Sequence, residues 1–279
     1  MVNPLANNWC NLNWSEWIPL DSDIKEFKQS VSSEPGFYRI KATNQDGLFY
    51  IGQTGRNLRE RTRQLSIHTF RKVTPWNDPH TAAPTLWAYR NEEGFDFQVS
   101  VAVSHLQDTE RQCFEDYLIY CHRKYFDFSP SANFGVCHPL WNKPSNKKAG
   151  RIMEKNKVKS ATSSLSAPTN TNQFDSLKWL GLNWSEALPF SKFKSSRESG
   201  VYKITDGKKL LYCGEAKNLL VRTHNYSKHS QLKNVQISCA EMIGAEPNHL
   251  KERETDMIGA YYESFSEAPF YQYTGLLHK

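Results

Sequence analysis

Gly36-Phe37-Tyr38-Arg39-Ile40-Lys41 alternates apolar and polar side chains, as a half-buried strand does, and Gly47-Leu48-Phe49-Tyr50-Ile51-Gly52 reads as its hairpin partner. Between them, Asn44-Gln45-Asp46-Gly47 supplies turn chemistry, so the pair predicts a β-hairpin. Leu58 and Leu65 then fall at helical spacing behind Asn57, a residue suited to cap a helix N-terminus. A third alternating strand is predicted at Phe95-Asp96-Phe97-Gln98-Val99-Ser100-Val101. A helix over about Thr109–Arg123 follows, with Phe114, Leu118 and Ile119 on its buried side.

The same order returns later in the chain. Gly200-Val201-Tyr202-Lys203-Ile204 and Leu210-Leu211-Tyr212-Cys213-Gly214 flank a turn at Asp206-Gly207. Asn218 stands before Leu219 and Leu220, and a helix is expected over about His249–Tyr262. Leu-Asn-Trp-Ser-Glu opens both stretches, at residues 12–16 and 182–186, so the chain is read as an internal duplication. The fold class expected is α+β, two tandem domains that are each a small, mostly antiparallel sheet flanked by helices. The boundaries expected are 1–141, 142–178 and 179–279. The middle stretch, rich in Ser, Thr, Asn, Pro and Lys, is a linker. Lys143, Lys147, Lys148, Arg151, Lys155, Lys157 and Lys159 stand there against the single Glu154, as a solvated tether or a strap along a phosphate backbone.

A chain of 279 residues can bury a core in each of two domains. The net charge of +6 is compatible with a polyanionic partner without requiring one. No apolar run approaches the roughly 18 residues of a membrane span, and the N-terminus lacks the pattern of a secretory signal. Six cysteines without paired spacing fit a reduced, intracellular setting, so a cytoplasmic protein with no membrane partner is expected.

The recurring residues include Tyr and Arg as well as core positions. Gly36-Phe37-Tyr38 with Tyr50-Ile51-Gly52, and Gly200-Val201-Tyr202 with Tyr212-Cys213-Gly214, resemble the paired motifs of the GIY-YIG nuclease superfamily. The resemblance places a helical arginine at Arg61, nine residues past Gly52, and at Arg222, eight past Gly214. It places a metal-binding glutamate at Glu115 and Glu254, each followed four residues later by Ile. Asn133 in the first copy and Tyr226 in the second match two further family positions. The first copy has Leu65 where the second has Tyr226, and no Asn answers Asn133 within 265–279. Glu215, directly after the second Tyr-x-Gly, would repel phosphate unless it binds metal. On these matches the first copy is the closer fit.

These residue types suit phosphodiester hydrolysis. A carboxylate holds Mg²⁺, or Mn²⁺, which keeps several waters. A guanidinium offers forked donors to phosphate oxygens, and a tyrosine hydroxyl beside cations can accept a proton from water. Whether Tyr38 or Tyr50 is that base stays open. Residues 71–90 of the first copy have no counterpart in the second and read as a loop insertion beside the site. His68, and His80 within that loop, are candidates for proton relay. Arg56, Arg59, Arg63 and Lys217 are candidate DNA contacts.

The resemblance implies a Mg²⁺-dependent endodeoxyribonuclease acting on double-stranded DNA. Two copies in one chain suggest a pseudo-dimer that cuts both strands, as in bacterial restriction or defence, where a DNA methyltransferase would be its functional counterpart. A structure-specific repair nuclease that nicks one strand, and a non-catalytic nucleic-acid-binding protein with degenerate copies, are the alternatives. A homo-oligomer is compatible with any of them.

Overall fold

The computed structural model describes residues 1–73, 82–142, 153–155, 163–226, 232 and 234–277. The fold is α+β, with antiparallel sheets and six helices among these residues. The chain divides into two compact units. One comprises Met1–Gln107 and Cys121–Ser164, and the other Asp108–Tyr120 and Leu165–Lys279.

In the first unit, β1 (Ile18–Pro19), α1 (Ile24–Ser30), β2 (Gly36–Ala42), β3 (Tyr50–Thr54), α2 (Leu58–Thr69), α3 (Ala83–Glu93) and β4 (Phe97–Val103) succeed one another. The sheet order is β1-β4-β2-β3, antiparallel throughout. The cap expected at Asn57 is present, its side chain accepting from Glu60 N at 3.0 Å. The insertion expected as a loop is helical from Ala83. Pro84 sits in the first turn, where its missing N–H costs nothing, and Gly94 ends α3 at φ 70°. Leu86 and Trp87 bury α3 against the rest of the unit, and Trp87 Nε1 donates to Arg71 O at 3.0 Å. Helix α4 (Asp108–Phe126) gives Asp108–Tyr120 to the second unit and its last turns to the first. A two-residue pair, β5 (Trp141–Asn142) with β6 (Glu154–Lys155), lies within the stretch around the expected linker boundary.

The second unit repeats the plan with β7 (Leu188–Pro189), β8 (Gly200–Thr205), β9 (Leu210–Ala216), α5 (Leu219–Tyr226), β10 (Gln236–Glu241) and α6 (Pro247–Phe265). Its order, β7-β10-β8-β9, is that of the first sheet element for element. Asn218 caps α5 by accepting from Val221 N at 3.0 Å.

The repeated Leu-Asn-Trp-Ser-Glu is a clamp on the sheet. Ser15 N donates to Val101 O and Val101 N to Ser15 Oγ; Ser185 and Cys239 exchange the same two bonds. Trp14 lies beneath the buried Arg39, whose guanidinium carbon is 4.3 Å from the ring centroid. Trp184 stands at the same distance from the Lys203 ammonium. Burial lowers both cations, Arg39 to about 9 and Lys203 to about 8, so the indole faces and carbonyls around them replace water.

Within the second unit, the first turns of α4 pack on α6 with equivalent positions facing each other. Asp116 Oδ1 accepts from Thr255 Oγ1 at 2.7 Å, and these residues are 139 apart. Tyr120 and Gly259 share that separation, and a Cβ on Gly259 would lie 2.3 Å from Tyr120 Cβ. Facing equivalents are the mark of a local twofold, so Glu115 and Glu254 hold matching places on this helix pair.

Candidate active site

The Gly-x-Tyr and Tyr-x-Gly motifs meet because of sheet register. Tyr38 pairs with Gly52 across β2 and β3, and Tyr202 with Gly214 across β8 and β9. Each glycine is required because the opposite tyrosine ring lies over it. A Cβ would stand 2.5 Å from Tyr38 Oη at Gly52 and 2.3 Å from Tyr202 Oη at Gly214. The second tyrosine of each motif is two residues earlier on the same strand, hence on the same face. Ring centroids are 5.9 Å apart for Tyr38 and Tyr50, and 6.1 Å for Tyr202 and Tyr212.

In the second unit Tyr226, the last residue of α5, completes a buried cluster. Tyr202 Oη donates to Tyr226 Oη at 3.0 Å, and Tyr226 also hydrogen-bonds Tyr212. Burial, reinforced by the neighbouring hydroxyls, pushes Tyr202 and Tyr212 well above the usual tyrosine value. Both are neutral O–H groups at physiological pH. Arg222, one turn before Tyr226, is exposed and interacts with all three hydroxyls and Glu215. Burial opposes its charge, but those partners together raise its pKa.

Glu254 reaches this cluster from α6. Its carboxyl is pushed up to about 8, first by burial, then by the like charges of Asp116 and Glu215, with Arg222 and Lys251 offsetting only part. Asp116 is raised to about 6 by burial, against which hydrogen bonds from Tyr273 and Thr255 act. A half-buried carboxyl flanked by Asp116 and Glu215 is a place where an added cation would be favoured. Among the described residues no three or more His, Cys, Asp or Glu side chains form a metal cage. The Glu254 carboxyl is a hard oxygen donor of the type that Mg²⁺ takes.

Gln272 takes, in the second unit, the place that Asn133 holds in the first. Gln272 Oε1 accepts from Cys213 N at 3.2 Å, holding the strand directly after Tyr212. Asn133 does the same beside Tyr50, with Oδ1 accepting from Ile51 N at 3.0 Å and Nδ2 donating to Ile51 O at 2.9 Å. The preceding residues match as well, since Ala132 N donates to Phe49 O and Tyr271 N to Leu211 O. The amide is conserved in role between the halves and differs by one methylene.

In the first unit Tyr38, Tyr50 and the buried Leu65 pack in one core, so Leu65 stands where Tyr226 brings a hydroxyl. Arg61 is half-buried on α2, and His68 lies two turns further along the same helix. Glu115 lies on the part of α4 that belongs to the second unit. His80 is outside the described residues. Of the candidate DNA contacts, Arg56 and Lys217 are exposed. Arg59 is engaged in the fold, with Nε donating to Val31 O at 2.9 Å and Nη2 to Lys28 O at 3.0 Å, where it closes the C-terminus of α1. Arg63 Nη1 reaches Ser22 O at 3.4 Å.

No helix among the described residues is long and apolar enough to cross a membrane. Comparison with protein-family models, with curated proteins and with solved structures found no match to this chain.

Proposed function

We propose that this protein is a Mg²⁺-dependent, or Mn²⁺-dependent, DNA endonuclease with two GIY-YIG-type halves, the second of which carries a full set of reactive groups. The observation that carries this reading is the convergence of Tyr202, Tyr212, Tyr226, Arg222 and Glu254 on one site. Glu254 would hold the ion, which would supply positive charge against the transition state and a polarised water. The other steps belong to side chains. Arg222, exposed and permanently charged, takes the scissile phosphate in a forked pair of donors. The Tyr202, Tyr226 and Tyr212 hydroxyls form a short hydrogen-bonded chain that can orient the attacking water. Glu215 repels free anions, which favours a phosphate that arrives with a cation.

Two halves on one chain supply one cutting centre for each strand, and the reading extends to double-strand cleavage of restriction or defence type on duplex DNA. A supercoiled plasmid incubated with purified protein and Mg²⁺ tests it. Discrete linear fragments support double-strand cutting, and open circles alone replace it with a nicking nuclease. Glu115→Ala and Glu254→Ala should each remove one cut. Absence of cleavage under all divalent ions, with DNA still retained on a gel, would leave a binding protein.

A further inference from the structure

Asp116 stands outside the residues given a role in the reaction, yet both its oxygens are taken by hydroxyls on two different elements. Oδ1 accepts from Thr255 Oγ1 at 2.7 Å, and Oδ2 accepts from Tyr273 Oη. Thr255 is the residue after Glu254 on α6. Tyr273 is the residue after Gln272, whose amide oxygen grips the β9 strand immediately after Tyr212. One carboxylate thus ties the helix bearing Glu254 to the C-terminal turn that fixes the strand bearing Tyr212. Asp116 and Tyr273 are half-buried, while Cys113, one helical turn before Asp116, and Thr255 are buried, so the tie is made at the edge of the unit's interior.

We infer that Asp116 is a positioning residue of the second cutting centre, setting Glu254 and Tyr212 at their working separation through Thr255 and the Tyr273–Gln272 turn. The inference rests on the reading of the second unit as a nuclease centre. Asp116 touches neither substrate nor ion in this account, and its effect is geometric. A displacement of about 1 Å in a reacting constellation costs on the order of 100-fold in rate.

Two substitutions separate positioning from simple support of the fold. Asp116→Asn keeps an acceptor and a donor, and both hydroxyls can accept as well as donate, so the tie survives. Asp116→Leu removes it. With the first centre silenced by Glu115→Ala, plasmid cleavage should lose roughly 10- to 100-fold in kcat in the Leu variant with KM little changed. The Asn variant should stay within about threefold of the parent. A second measurement needs neither ion nor DNA. Amide exchange across 210–216 should quicken at least tenfold in the Leu variant while β10 keeps its protection.

Cleavage and exchange within about twofold of the parent in Asp116→Leu would overturn the inference, as would equal loss of protection in β10, which marks general destabilisation. If the unsubstituted chain cuts but the Glu115→Ala parent does not, the second unit is no independent centre and the inference falls. No cleavage by the unsubstituted chain removes the nuclease reading itself. Cleavage that survives Asp116→Leu removes only the role of Asp116.

Discussion

Replacing Glu254 by Gln should make the metal-free protein more stable at neutral pH while removing cleavage at the second centre. The carboxyl has an ordinary value of 4.5 and is held at about 8 in the fold, chiefly by burial and then by Asp116 and Glu215. Between those values the folded chain keeps a proton that the unfolded chain has released. Stability is therefore full below about pH 4.5 and falls as pH rises through that window to about 8. At roughly 1.4 kcal/mol per pH unit, the loss accumulated by pH 7 is about 3 kcal/mol. Urea unfolding in EDTA at pH 5, 6, 7 and 8, run in parallel on the parent and Glu254→Gln, isolates this group as a difference. The gap should widen by about 1 kcal/mol or more per unit across the series. Mg²⁺ at 100 times its Kd should restore about 2.7 kcal/mol to the parent and nothing comparable to the variant. A difference that stays flat from pH 5 to 8 would refute the placement of Glu254 in a buried, acid-crowded site.

The first unit should show the opposite slope. Burial holds His122 down to about 3, with Leu48 N donating to its Nε2 at 2.9 Å, so the unfolded chain gains a proton first as pH falls. Stability is full above about pH 6.5 and declines below it by about 1.4 kcal/mol per unit, and acid unfolding of His122→Gln should lack that decline. Tyr226→Phe removes the hydroxyl shared by the buried Tyr202 and Tyr212, and should lower second-centre cleavage about tenfold in kcat and unfolding free energy by about 1–3 kcal/mol, read by urea titration. Gly214→Ala forces a methyl against Tyr202 Oη and should cost about 1–3 kcal/mol in unfolding free energy together with second-centre cleavage. Asn133→Ala leaves the Ile51 N–H and carbonyl without their side-chain partner, and urea titration should record a loss of about 2–4 kcal/mol.

Hairpins, caps and the long helices were legible because their signals are local. Tyr38 over Gly52 follows from strand alternation, and Asn57 and Asn218 cap by contacts three residues away. The short α1 was not legible, since Ile24–Ser30 buries only Phe27 and gives no sustained period. Nor was α3, whose helix-forming run Leu86–Glu93 stands behind a proline-punctuated stretch that reads as loop. The role of Leu-Asn-Trp-Ser-Glu was hidden as well, because the cation that Trp14 covers is 25 residues away at Arg39. Gln272 was not legible because the fold requires only an amide oxygen at the right height, which a glutamine supplies as well as an asparagine. Asp116 could not have been found at all. Its partners, Thr255 and Tyr273, are more than a hundred residues distant and belong to the other copy of the repeat.

The division of α4 between the two units limits how separable the duplicated halves have remained. A polypeptide beginning at the linker would keep β7 through α6 but lose Asp108–Tyr120, and with them the residues that cover Gly259, Thr255 and Tyr262. The sequence repeat has its seam at the linker, while the compact unit has its seam in the middle of a helix. Cutting the chain at the linker therefore strips the second unit of part of its own packing, so the seam of the repeat is not a place to divide the molecule.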